Sequence, residues 1–159
     1  MAVTIDGAGP LAGATTLNGL TIPTTGFGKV LQVVRATYAT STTTTSTVYV
    51  DSGLSVTITP QRDDSNILLI YCFYFQTGSN LPLYFQITDS GNTAISGAEG
   101  AAYRTNGGYF QGAENLIGYD SPATLAATTY KGRFKVGGGT GYLNDAANTG
   151  QLYAIEVAA

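Results

Sequence analysis

Apolar and polar positions alternate with a period of two over much of residues 29–159, the pattern of strands with one buried face. In "VYVDSGLSVTITP", Leu54, Val56 and Ile58 alternate with Ser55, Thr57 and Thr59, which predicts a half-buried strand stopped by Pro60. "LPLYFQITDSGNTAISG" sets Leu83, Phe85 and Ile87 inward, turns at Asp89–Asn92 and returns in a short strand. "KVLQVVRATY", "TTYKGRFKV" and "QLYAIEVAA" predict three more strands. "SNILLIYCFYFQTG" breaks the alternation. It is apolar at consecutive positions from Ile67 to Phe75, so it predicts a central strand covered on both faces. Asn106-Gly107 in "YRTNGGYF" signals a tight hairpin. Roughly eight to ten short strands and no helix make an all-β sandwich or barrel.

Residues 41–47, "STTTTST", carry only hydroxyl side chains. A mucin-like stalk would carry Pro as well, and this run has none. Thr suits an exposed strand face, and the run lies between two predicted strands, so it reads as an exposed strand or strand-edge loop. Residues 1–28 are different: small, nearly uncharged and punctuated by Gly, Pro and Asn-Gly, they cannot form a core alone. They read as an extended arm, with Val3, Ile5, Leu11, Leu17, Leu20 and Ile22 as its candidate attachment residues, and residues 29–159 read as one domain. Gly7, Gly9 and Gly13 imitate a dinucleotide fingerprint, but the spacing is wrong, Pro10 interrupts it and no helix follows.

Composition narrows the chemistry. Aromatic and charged residues each make up 11% of the chain, and its formal net charge is −3, so no basic surface is available to grip nucleic acid. Lys131, Arg133 and Lys135 alternate on one strand and read as a solvated face. The absence of His removes the commonest general base and His-based zinc sites, and neither a cofactor nor a metal is expected. Cys72, the single cysteine, forms no intrachain disulfide and reads as a buried, inert thiol. Glycoside hydrolysis needs only two carboxylates, and Asp63, Asp64, Asp89, Asp120 and Asp145 fall in predicted loops. Asp63 and Asp64, beside Arg62, read first as a polar turn. Three clusters, "NGGYF", "GYDSP" and "GYLND", set Tyr beside Asn or Asp, a pairing that can stack on a sugar while bonding its hydroxyls. Tyr109, Tyr119, Asp120, Tyr142, Asn144 and Asp145 are therefore the candidate surface or glycan contacts, with ordinary sheet and turn positions as the alternative. No basic n-region precedes an apolar stretch at the N-terminus, and the longest apolar run is about half the ~20 residues a membrane span needs. A soluble protein without a signal peptide or membrane partner is expected.

"GKVLQVVRATYATSTTTTSTVYVDSGLSVTITPQRDDSNILLIY" (28–71) resembles the opening of a domain found in tailed-bacteriophage virion proteins. "DSPATLAATTYKGRFKV" (120–136) is similar to a later segment of that domain, and "QLYAIEVAA" to its closing strand. The similarity is weakest around 76–118. The resemblance implies a jelly-roll-like β-sandwich knob, homotrimeric and displayed on the virion surface. It implies a structural protein made in the host cytoplasm and carries no catalytic motif. Its partners would be further copies of itself, a major capsid protein or other virion component held through the arm, and a host surface glycan. Capsid decoration (cement) protein, short head fibre and tail-fibre receptor-binding tip are the forms it allows. Twenty-eight extended residues reach at most ~95 Å, and no shaft repeat follows them, which favours the first two. A glycan-binding or glycan-degrading module is the remaining alternative. The apolar residues of "NILLIYCFYF" and "QLYAIEV" exceed what one sandwich of this size needs, in keeping with a shared interface.

Overall fold

The computed structural model describes residues 29–78, 81–102, 108–145 and 148–159, together with the backbone pairing of β1 (Thr16–Leu17) with β2 (Leu20–Thr21). The other strands, in chain order, are β3 (Val30–Tyr38), β4 (Thr42–Thr44), β5 (Val50–Ile58), β6 (Asn66–Thr77), β7 (Leu83–Asp89) and β8 (Ala94–Ala102). They continue with β9 (Phe110–Asp120), β10 (Thr128–Val136), β11 (Gly141–Leu143) and β12 (Gly150–Val157). Two antiparallel sheets pack as a β-sandwich. One runs β5-β10-β7-β8; the other has six strands, β3-β12-β6-β11-β4, with β9 on the opposite side of β6.

Alternation becomes burial where the sequence predicts it. Leu54, Val56 and Ile58 of β5 and Leu83, Phe85 and Ile87 of β7 line the inward face of the four-stranded sheet, and all six are shielded from solvent in one core. Across from them, β6 turns Ile67, Leu69, Tyr71, Phe73 and Phe75 inward. Phe73 and Phe85 join the two sheets with ring centroids 4.5 Å apart, and Phe75 meets Phe85 at 5.6 Å. Tyr71 lies over Gly132 of β10, whose Cα leaves room for the ring: a Cβ there would come within 2.5 Å of it. The ladder to β5 shifts register at the same place, between Lys131 and Arg133.

The hydroxyl-rich run is folded. Thr42–Thr44 form an edge strand on β11, and the Thr44 and Ser46 hydroxyls accept from the amides of Ser46 and Val48 to turn the chain into β5. β6 is central, as expected, but among the described residues it is covered on one face only. Its even-numbered residues, Leu68, Ile70, Cys72 and Tyr74 among them, are half-buried on the outward side. Cys72 accordingly lies outside the core, and partial burial pushes its thiol pKa up. The Asn106-Gly107 hairpin and the arm residues Val3, Ile5, Leu11 and Ile22 lie outside the described residues. For Leu17 and Leu20 only the backbone pairing to each other is described.

Candidate functional site

The two outward faces of the sandwich are chemically unlike. On the four-stranded sheet, Lys131, Arg133 and Lys135 project from β10 between the buried Tyr130, Gly132 and Phe134. Arg133 Nε donates to Asp51 Oδ1 at 2.8 Å, and its Nη2 donates to the Tyr49 carbonyl at 2.7 Å. Lys131 Nζ stands 3.5 Å from the same Asp51, and Lys135 Nζ sits 4.6 Å above the Tyr49 ring and 5.2 Å from that of Tyr84. This face is charged and internally paired, with the Lys131 and Arg133 side chains largely covered instead of freely solvated as the spacing predicts.

The outward face of the six-stranded sheet carries no charge on β12, β6 and β9. Register places Val33, Ile155, Leu68 and Tyr119 in one row across β3, β12, β6 and β9. The next row is Arg35, Tyr153, Ile70 and Ile117, and the one after it Thr37, Gln151, Cys72 and Asn115. Val33, Ile117 and Tyr119 are each more than half exposed. The one charge in these rows, Arg35, stands on the edge strand. The Tyr153 hydroxyl donates to Gln151 Oε1 at 2.6 Å, so two of the polar groups on this face satisfy each other.

The six candidate contacts divide between opposite ends of this sheet. Tyr119 pairs with Leu68 and Tyr142 with Gln76, positions eight residues apart on β6 and therefore roughly 27 Å apart. Asp120 Oδ2 accepts the Tyr130 hydroxyl at 2.6 Å, and burial, reinforced by that carboxylate, drives the phenol pKa far above its ordinary value. Asn144 is buried at φ 53°; its amide N–H donates to Tyr74 O at 2.8 Å and its Nδ2 to Tyr38 O at 3.3 Å. The Asp145 carbonyl accepts from both nitrogens of Asn148. The Asp120 carboxylate and the Asn144 amide are thus engaged in holding strand ends, and Asp145 holds its turn through its main chain. The tyrosines are left outward: Tyr109 is 71% exposed, Tyr119 lies in the apolar rows and Tyr142 is half-buried beside Gln76.

Asp89 and Asp120, expected in loops, stand at the ends of β7 and β9 and both raise the Tyr130 pKa. Arg62 grips Asp64 through Nε and Nη2 at 2.8 and 2.7 Å, and this paired hydrogen bond lowers the carboxyl pKa, the polar turn expected of "PQRDDSN". Asp89 Oδ1 accepts the Thr93 amide at 2.8 Å and closes the β7–β8 turn.

One ionisable residue escaped the sequence reading. Glu156 points inward from β12 and is fully shielded from solvent. Its Oε1 accepts from the Ser65 hydroxyl at 2.6 Å and from the amides of Gln61 and Arg62 at 2.8 and 3.2 Å; its Oε2 accepts from Gln32 Nε2 at 2.6 Å. Burial disfavours the charge, but the hydroxyl, the side-chain amide and the two backbone amides outweigh it and hold the pKa below the ordinary carboxylate range. Alternation with Leu152 and Ala154 is the signal that assigns it inward. Its donors all belong to β3 and the β5–β6 turn, so its work is to pin that turn.

No family model matches the chain, and no curated protein matches it.

Proposed function

We propose that this chain is a non-enzymatic structural protein of a bacteriophage particle. A short N-terminal arm attaches it, and a homotrimeric β-sandwich knob is displayed on the virion surface as a capsid decoration protein or short head fibre. The observation that carries the assembling role is the contrast between the two outward faces. One is dressed with paired charges, whereas the other is uncharged across β12, β6 and β9 and apolar in the rows of Ile155, Leu68 and Tyr119 and of Tyr153, Ile70 and Ile117. Placement on a virion rests on the resemblance of residues 28–71 and 120–136. The strand order supports the jelly-roll form of the sandwich, since successive strands from β5 to β10 repeatedly cross between the sheets. The separation of the Tyr-Asp and Tyr-Asn clusters weighs against one glycan site built from all of them.

The test combines tagged protein, purified virions and naked capsids. Full-length protein is expected to bind capsids and to be imaged on the head, and deletion of residues 1–25 is expected to leave a soluble knob that no longer binds. Binding to host cells but not to capsids would favour a tail-fibre tip instead, and absence from the particle would end the proposal.

A further inference from the structure

We infer that the outward face of β12, β6 and β9 is the surface on which copies of this chain meet, with Cys72 near its centre. The inference rests on the homotrimer proposed above and names the face that forms it. Three observations favour a second copy as the occupant. First, around a threefold axis lined by this face like residues converge, and a face with no charge on those strands allows this without like-charge repulsion. Second, the area is adequate. With strands ~4.8 Å apart and outward residues every ~6.8 Å, the outward positions of the three strands cover roughly 500 Å² in projection. Side-chain relief raises the accessible area above that figure, toward the ~800 Å² per partner of a standard interface. Third, covering the face buries no charge, because Arg35 stands on the flank, and the Tyr153 hydroxyl already has its acceptor in Gln151.

The four-stranded face offers a poor second choice. Joining it to its copy would bury Lys131, Arg133 and Lys135 against their own counterparts.

Light scattering on the full-length wild type and on its Ile70→Glu and Ile117→Lys variants tests the assignment, with Thr57→Glu on the other face as control. The wild type and the control are expected near three times 16.4 kDa, and both face variants near 16.4 kDa with unchanged far-UV circular dichroism. Face variants that stay trimeric would overturn the choice of face while leaving the trimer standing. A monomeric wild type would overturn both. If the variants unfold, Cys72 of the wild type supplies the second reading. Its alkylation is expected to be on the order of tenfold slower at assembling concentration than after dilution to monomer. A rate independent of concentration would overturn the assignment.

Discussion

Removing the Glu156 carboxylate should be among the most damaging single changes outside the aromatic core. The side chain is shielded from solvent and has four donors directed at it, two of them backbone amides of the β5–β6 turn. In Glu156→Ala those amides lose their acceptor. The Ser65 hydroxyl can keep its bond to Arg62 O, and Gln32 Nε2 its bond to Thr59 O. Two stranded amides and a vacated side-chain volume together cost about 3–5 kcal/mol. Glu156→Gln keeps an acceptor at the Oε1 position and sets an NH2 group against Gln32 Nε2, so it should cost less, about 1–2 kcal/mol. The sign of the pH effect follows from the lowered pKa. Stabilisation by this carboxylate is complete above its unfolded-state pKa and is lost as pH falls through the folded one. The assay is urea unfolding at fixed protein concentration from neutral pH down through the carboxylate range, for wild type and both variants. The difference between wild type and Glu156→Gln should shrink as the pH falls. A Glu156→Ala cost under about 1 kcal/mol, or a difference constant with pH, would refute the reasoning.

Two further substitutions test the core. Leu69→Ala and Phe73→Ala remove buried side chains from the central strand and should each destabilise by about 2–5 kcal/mol in the same assay, with circular dichroism remaining that of a β protein. Gly132→Ala drives a Cβ to within 2.5 Å of the Tyr71 ring and should cost about 1–3 kcal/mol; pairing it with Tyr71→Leu should recover part of the loss.

Much of the architecture is legible in the residues because burial on one face of a strand imposes a period of two. β3, β5, β7, β10 and β12 all sit where alternation or Val-rich runs predict them, and Pro60 lies just beyond the end of β5. β9 was not legible, for a specific reason. At Gly112 and Gly118 its inward positions hold glycine; at Gly118 β8 and β9 approach so closely that a Cβ would lie 3.0 Å from that of Ala98. Of its apolar residues, Leu116 and Phe110 face the core while Ile117 and Tyr119 point outward, so no run of alternation marks it. β11, three residues in a Gly-rich loop, has too little sequence to show any period and exists because β4 and β6 pair with it.

The candidate site divides in the same way. Local composition singles out Tyr beside Asp or Asn, but whether such pairs share a surface depends on register, and register sends Tyr119 and Tyr142 to opposite ends of β6. The continuous apolar run from Ile67 to Phe75 shows by itself that both faces of β6 shun water. Only the packing of the two sheets decides which face lies in the core and which stays outward. Residues of one strand share a face by their own alternation, whereas residues of β3, β12, β6 and β9 share it only through hydrogen-bond pairing between segments far apart in the chain.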